Sequence, residues 1–255
     1  MVVSIICCFF AVMIKRLFLL FLVISFTIQS ISQVQNRFAA WVGSTNSLLL
    51  NKKWGLQLDL SFRSNDQLKN FQTIIIRPGI SYRFNKAVTA FIGYSNNINR
   101  TIIGEVSGYP TEHQVWEQLF IRHRSFKKLH TLHRPLLEER FISNPVLENN
   151  EIKTSGRLFA VRFRYLFRNM LPFSNKEVFT KGVYMFASQE LFLIVVNKEN
   201  LNGKTFDQFR SVTGFGYRFS PKWDIEAGYL YRDLATRSSA HFHDHIAQMS
   251  SFIRL

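Results

Sequence analysis

Apolar and polar residues alternate strictly along several stretches of the chain. From Trp54 to Phe62 every second residue is apolar, whereas the positions between and after them include Asp59 and Arg63. Such a period of two predicts a β-strand with one apolar and one polar face. Residues 159–168 repeat the pattern with aromatic residues against arginines. The alternation therefore predicts a sheet whose two faces meet very different surroundings.

Eleven candidate strands follow from this pattern and from the turn residues between them. They cover residues 36–44, 54–64, 71–84, 88–97, 113–125, 129–142, 157–168, 178–194, 206–219, 223–232 and 243–255. Strands of soluble proteins average about five or six residues, whereas a tilted membrane strand needs about nine to eleven. Most of the candidates reach the membrane length, which favours a barrel that crosses a bilayer over a water-soluble sandwich.

An odd strand count conflicts with the even number that is typical of bacterial single-chain barrels. Two explanations stay open: residues 37–43 thread the lumen, or a connection contains a further strand. The connections 98–112, 143–156, 195–205 and 233–242 are long, and those between them are short. Pro78 lies inside a candidate strand, where proline usually marks a bulge.

One hairpin occurs twice. Residues 79–94 and 214–229 share glycine, Tyr-Arg-Phe and Gly-Tyr at matching positions without an insertion. The turns between their strands, 85–87 and 220–222, contain residue types that suit short reversals. A similar turn lies at 50–54. Repeated hairpins predict a sheet that is built by up-and-down addition.

Aromatic residues mark both ends of the apolar face. Trp54 and Trp223 lie beside short turns, and Tyr94, Tyr229 and Tyr231 lie towards the other end. The eight steps from Trp223 to Tyr231 cover roughly 27 Å along a strand, or roughly 21 Å across a bilayer after tilting. These five residues therefore predict two aromatic girdles. The fold class is predicted as all-β, a single up-and-down antiparallel transmembrane β-barrel of about 10–12 strands.

The first residues have the organisation of a secretory signal peptide. Met13 to Arg16 form a charged segment, residues 17–28 an apolar core, and residues 30–32 a small-residue cleavage site. We therefore expect residues 1–32 to be a signal peptide, with Met13 as an alternative start, and residues 33–255 to be the barrel domain. A membrane anchor is the alternative, although Lys15 and Arg16 interrupt the apolar run.

Cysteine and charge extend this expectation. Both cysteines, Cys7 and Cys8, precede the cleavage site, so the mature chain would contain none. Without residues 1–32 the net charge falls from +15 to +13 because Lys15 and Arg16 are removed. In an exported barrel this excess predicts contacts with outer-membrane lipid and lipopolysaccharide and an electropositive lumen, rather than nucleic-acid binding. The expected location is the cell outer membrane.

The sequence resembles the bacterial outer-membrane barrels of domain-of-unknown-function family 2490, which are common in Bacteroidetes-like organisms. The resemblance is carried by Trp41, Lys52, Lys53, Trp54, Arg63, Trp116, Glu117, Gln118, Arg134, Glu138, Glu139, Arg140, Phe141, Glu190, Gln208, Arg210, Gly214 and Tyr217. It spans essentially the whole mature chain. It implies a fold and a location, and no activity.

Charged residues on the polar parity of the strands are expected to face the lumen, because charges at bilayer depth turn inward and pair. They are Arg63, Arg83, Arg134, Glu138, Arg140, Arg162, Arg164, Glu190, Arg210, Arg218 and Glu226. Two interpretations stay open. The set is a ladder of ion pairs that fills a narrow, non-conducting barrel, or it forms a cationic constriction for a small anionic solute.

Two other chemistries have weaker support. His241, His243 and His245 share a face of the last strand, a spacing that can bind a transition metal. Ser125 beside His123, and the stretch from Ser238 to His245, supply residue types of a rim-located lipid hydrolase, but neither has a nucleophile-elbow motif. We therefore expect no metal, no cofactor and no catalytic residue, and a pore or transport-related barrel as the first function.

Overall fold

All eleven predicted strands are present in the structure, a computed structural model that describes residues 34–255 apart from 65, 127, 175, 177 and 239. The strands are β1 (Val34–Leu49), β2 (Trp54–Ser64), β3 (Phe71–Arg83), β4 (Val88–Asn99), β5 (Thr111–Ser125), β6 (Leu129–Glu148), β7 (Glu151–Pro172), β8 (Gly182–Val196), β9 (Phe206–Ser220), β10 (Trp223–Ala235) and β11 (His241–Arg254). The predicted signal peptide lies outside the described residues.

The strands form one closed barrel in which each pairs with its neighbours in sequence. All of these pairs are antiparallel except the closing one, in which β1 runs parallel to β11, with Val34 beside His241 and Ser47 beside Arg254. With an odd number of up-and-down strands the first and last strands point the same way, so the closing ladder must be parallel. The prediction of a single barrel of about 10–12 strands is confirmed, and the closing pair is the parallel exception in an otherwise antiparallel sheet. Residues 37–43 lie in the wall and do not thread the lumen.

Two of the short turns share one stabilising interaction. The side-chain oxygen of Asn51 accepts hydrogen bonds from the backbone N–H groups two and three residues later, both at 2.9 Å. Asn85 makes the same two contacts at 2.8 Å. An asparagine side chain thus stands in for a backbone acceptor and fixes the reversal. We call this side of the barrel, with connections 50–53, 84–87, 126–128 and 221–222, the short-turn end.

Two local expectations are corrected at the opposite end and in β3. Residues 143–156 are not a long loop, because β6 and β7 continue to a two-residue turn at Asn149 and Asn150, whose φ angles are 50° and 63°. Positive φ at both positions is the hairpin geometry that asparagine tolerates.

Connection 98–112 contains a small hairpin of Thr101–Ile103 with Val106–Gly108. Pro78 interrupts the β3–β4 pairing while the register stays the same on both sides, so there is no bulge.

The barrel wall has its apolar residues outside and its charges inside. Trp54, Ile92 and Met249 are 48%, 53% and 50% exposed, whereas Glu138 and Asp244 are 1% and 2% exposed. This is the reverse of the usual distribution in water-soluble domains. No helix among the described residues is long and apolar enough to cross a bilayer.

Paired glycines make room for large side chains inside the wall. Gly79 of β3 is the partner of Gly93 of β4, and the indole of Trp116 lies directly over both. A Cβ atom would come within 2.5 Å of that ring at Gly79 and 2.4 Å at Gly93. The second copy of the hairpin has the same pairing, between Gly214 and Gly228. The glycines that recur in both copies of the hairpin therefore leave space for side chains inside the barrel, in addition to marking the order of the strands.

Replacement of Gly93 by alanine should lower the free energy of unfolding by about 1–3 kcal/mol, because the new methyl group overpacks against Trp116 and the backbone of Pro78. Gly43→Ala is the matched control, since its Cβ would meet only the Leu60 carbonyl oxygen at 3.2 Å. Urea unfolding followed by tryptophan fluorescence compares the two. Equal midpoints for both variants would contradict the packing argument.

The parallel seam predicts a specific cross-link. Ala40 of β1 and Ala247 of β11 are direct partners, at a strand spacing that a disulfide can bridge. With Cys7 and Cys8 replaced by serine, the pair Ala40→Cys and Ala247→Cys should oxidise to an intramolecular disulfide, visible as a shift on a non-reducing gel. The pair Ala40→Cys and Met249→Cys is two residues out of register and should not. The opposite result would refute this register.

Candidate functional site in the barrel lumen

A cavity of about 1180 Å³ occupies the lumen and is lined by side chains from all eleven strands. The charged residues that the sequence assigns to the lumen all lie on its wall: Arg63, Arg83, Arg134, Glu138, Arg140, Arg162, Arg164, Glu190, Arg210, Arg218 and Glu226. Several of them also contact one another. Charged side chains therefore line the lumen, and some of them reach into it and contact one another.

Glu138 on β6 is the centre of the largest ion-pair network. Its two carboxylate oxygens accept from Arg77 at 3.2 Å, from Arg162 at 2.8 Å and from Arg164 at 2.6 Å. Arg77 belongs to β3, so this contact crosses the lumen past β4 and β5. A carboxylate that is 1% exposed and held by three guanidinium groups is fixed in position.

The network continues onto the next strands. Glu190 of β8 accepts from Arg134 and Arg164, both at 2.7 Å. Arg162 donates to Asp207 of β9 at 2.8 Å. One connected set of four arginines and three carboxylates thus joins β3 to β6, β7, β8 and β9.

Smaller groups of ion pairs lie beside this network. Asp244 of β11 binds Arg37 and Arg232, and Glu112 of β5 binds Arg140 at 2.6 Å. Towards the short-turn end, Glu226 accepts from Arg168 and from the Tyr184 hydroxyl, and Asp224 accepts from Arg218 and Arg254. Most of the lumen arginines therefore have a carboxylate partner.

Two buried aromatic rings organise the arginines from the other side. The Cζ atoms of Arg162, Arg164 and Arg210 lie 5.2, 4.4 and 4.4 Å from the centre of the Phe192 ring. Those of Arg63, Arg210 and Arg232 lie 4.3, 5.0 and 5.1 Å from the Trp41 ring. A guanidinium held over an aromatic ring gains attraction while its N–H groups stay available at the edge.

The short-turn end of the cavity is cationic. Arg83, Lys86, Arg122 and Lys222 line it, and none of them forms an ion pair with a carboxylate among the described residues. Asp224, a carboxylate of the same lining, is already shared by two arginines. An anion approaching from this end meets four cations that have no carboxylate partner among the described residues.

Sequence reasoning missed part of the site. The unassigned lumen residues include Arg37, Arg77, Arg168, Arg232, Arg254, Glu112, Asp207, Asp244, Trp41, Trp116, Tyr184 and Phe192. The alternation of faces along each strand could have identified the charged residues. Asp244, for example, lies between His243 and His245 on β11 and so faces the opposite side. Parity could not find the inward aromatic residues, because an aromatic ring on a barrel strand suits both faces.

The girdle residues and the alternative sites lie elsewhere. Trp54 and Trp223 begin β2 and β10 on the outer face, and Tyr94 and Tyr229, also on that face, contact His113 and His245. The Tyr231 ring lies 5.4 Å from that of His243.

The histidines and the serine of the alternative chemistries have other contacts. His241 bonds to Asp233 at 2.6 Å, and the described residues contain no group of three or more side chains arranged to hold a metal. His123 stacks on His133 at 5.2 Å. Among the described residues, histidine hydrogen bonds go to tyrosine, threonine, aspartate and asparagine, not to Ser125.

Fold and site together define a closed β-barrel with a charged and partly filled lumen. A family model described as "Protein of unknown function (DUF2490)" matches residues 38–243, so the chain belongs to this family. An uncharacterized protein of Methylorubrum extorquens is 23% identical over 192 residues, 75% of this chain and 77% of that protein. No solved structure matches the chain.

Replacement of Glu138 by glutamine should lower the free energy of unfolding by about 3–5 kcal/mol, because three buried arginines lose their common counter-charge. Glu148→Gln is the matched control. Glu148 pairs with Lys153 at 3.5 Å in a solvent-exposed position, where less than about 0.5 kcal/mol is expected. Chemical unfolding of both variants is the measurement, and a Glu138→Gln midpoint equal to that of the control would show that the network does not stabilise the barrel.

Proposed function

We propose that the protein is an integral outer-membrane β-barrel whose cationic lumen admits small anions. The observation that carries the proposal is the inverted wall, with large apolar side chains exposed outside and charged side chains buried inside. Soluble monomers rarely expose continuous apolar surface of this extent. A lipid bilayer would cover it, and the lumen would hold the charges.

The ends of the wall support the membrane assignment. Trp54 and Trp223 lie on the outer face at the short-turn end, where amphipathic rings would meet lipid headgroups. Tyr94 and Tyr229 lie further along the same face and pair with histidines. Lipid and lipopolysaccharide are the partners that this surface and the strongly basic chain suit.

The lumen supports the preference for anions. In the described part of the chain, the central network contains four arginines and three carboxylates, and four further cations at the short-turn end have no carboxylate partner. Arginine- and lysine-lined constrictions favour anions and repel cations of the same charge. The cavity volume of about 1180 Å³ exceeds the volume of a solute of a few heavy atoms.

A filled, non-conducting barrel is the second candidate. It is favoured by the ion pairs that reach past two strands, Arg77 with Glu138 and Arg168 with Glu226. In that case the network would stabilise the wall, and the connections would bind a partner in the envelope. A rim-located hydrolase is the third; phospholipid turnover that falls in Ser125→Ala and His245→Ala variants would support it.

Conductance separates the first two candidates. The purified barrel in a planar bilayer under a salt gradient should give discrete steps with an anion-favouring reversal potential. Arg83→Gln should weaken that preference, because Arg83 lines the short-turn end without a carboxylate partner among the described residues. Lys153→Gln, on the exposed β6–β7 hairpin, is the control and should leave it unchanged.

The negative outcome is equally informative. Heat-modifiable gel mobility shows whether the barrel is folded. Folded protein without any conductance would reject the pore and favour the filled barrel. A cation preference that Arg83→Gln does not change would reject the role assigned to the lumen charge.

A further inference from the structure

Besides the cations of the short-turn end, two further lumen arginines differ from the paired ones. Arg63 of β2 and Arg210 of β9 form no ion pair with a carboxylate among the described residues, although both lie inside the barrel. The Nε of Arg63 donates to the Ser61 hydroxyl at 3.3 Å, and the Nε of Arg210 donates to the side-chain amide oxygen Oε1 of Gln208 at 3.2 Å. Arg210 is 9% exposed. The terminal nitrogens of both side chains have no hydrogen-bond partner in the part of the chain that the structure describes.

The two guanidinium groups are close to one another. Their Cζ atoms lie 4.3 and 5.0 Å from the centre of the Trp41 ring, so they are at most 9.3 Å apart, the sum of these distances. Trp41 is 7% exposed and packs on Leu230 and Ile246. A buried ring thus contacts two like charges, both of which line the cavity.

Nearby carboxylates are already occupied. Glu190, the cross-strand partner of Arg210, accepts from two other arginines, and Asp244 also binds two. Asp59 lies four residues from Arg63 on the same strand, roughly 13 Å away along the backbone, and accepts from Gln57. Arg210 is buried and Arg63 is partly buried, and like charges held close together without a counter-ion destabilise a fold. The pair is therefore unexplained as a stabilising feature.

The available donors suit one class of ligand. Each guanidinium offers free N–H groups in a planar fork, which matches the oxygens of a carboxylate or phosphate. Trp41 restricts both side chains by stacking, so little conformational entropy would be lost on binding. The open cavity beside them gives a solute access.

We propose that Arg63 and Arg210, held on Trp41, form a binding site for a small oxyanion, a phosphate or carboxylate group of a solute in the lumen. This inference deepens the proposed function and rests on it for the entry of solutes. The bound oxyanion supplies the counter-charge that the protein lacks at this position. The site lies beside the central network, where a passing anion would pause.

Inorganic phosphate is the first probe and acetate the second. Purified barrel in detergent should bind phosphate saturably in calorimetry, and its melting temperature should rise with phosphate concentration. Arg63→Gln and Arg210→Gln should each weaken binding by at least about ten-fold, the loss expected when a charge-assisted hydrogen bond is removed. Lys153→Gln, which removes an exposed cation outside the lumen, should bind like the unmodified protein.

Stability without ligand separates a binding site from a purely structural pair. Removal of one of two repelling charges should raise the melting temperature in phosphate-free buffer. If Arg63 and Arg210 served only to pack on Trp41, the same variants would melt lower, and phosphate would shift them as much as the unmodified barrel. That result, or no phosphate effect on any form, would overturn the inference.

The assay does not depend on conductance. Phosphate binding that is lost in Arg63→Gln and Arg210→Gln but occurs in a silent barrel would keep the site and reject the pore. Anion-selective conductance without phosphate or acetate binding would keep the pore and reject the site. The two proposals can therefore fail separately.

Discussion

The structure depends on the mutual compensation of charges that are enclosed by its own wall. Glu138 shows the constraint most clearly, because it is almost fully buried and accepts from arginines of two different strands. A carboxylate at this depth is tolerated only with partners in good geometry. Arg77 must reach it past two intervening strands, so the barrel has to be narrow enough for the contact. The ion pairs therefore limit the diameter of the barrel, and the diameter decides which ion pairs can form.

The same narrowness explains the glycines and the seam. Large lumen side chains such as Trp116 fit only where the facing wall has no Cβ atoms, and Gly79 and Gly93 provide that space as a cross-strand pair. The wall closes through a parallel ladder between β1 and β11. This ladder lets an odd number of up-and-down strands form a cylinder without an open edge, which would otherwise attract other chains.

Much of the fold could be predicted from the sequence because the alternation reports directly on the two environments. The start of β2 at Trp54 and the charged lumen residues follow from parity alone. The parallel seam does not, because pairing of β1 with β11 joins the two ends of the barrel and leaves no local signal. The extension of β6 and β7 was hidden by Pro145 and Gly156, which suggest a loop. The inward position of Trp41 was hidden because tryptophan also suits an outer girdle.

A lumen that served stability alone would give each buried arginine a counter-charge, as it does for Arg77, Arg162 and Arg164. Arg63 and Arg210 depart from that rule, yet both are fixed on one rigid ring rather than left to reach solvent. Charged side chains that are held in a fixed orientation without a counter-charge are characteristic of binding sites, where stability is lost in favour of function. The cations at the short-turn end, which have no carboxylate partner among the described residues, extend the excess of positive charge to that end of the cavity. The uneven distribution of charge, more than its amount, therefore favours a lumen that receives an anion over one that only supports the wall.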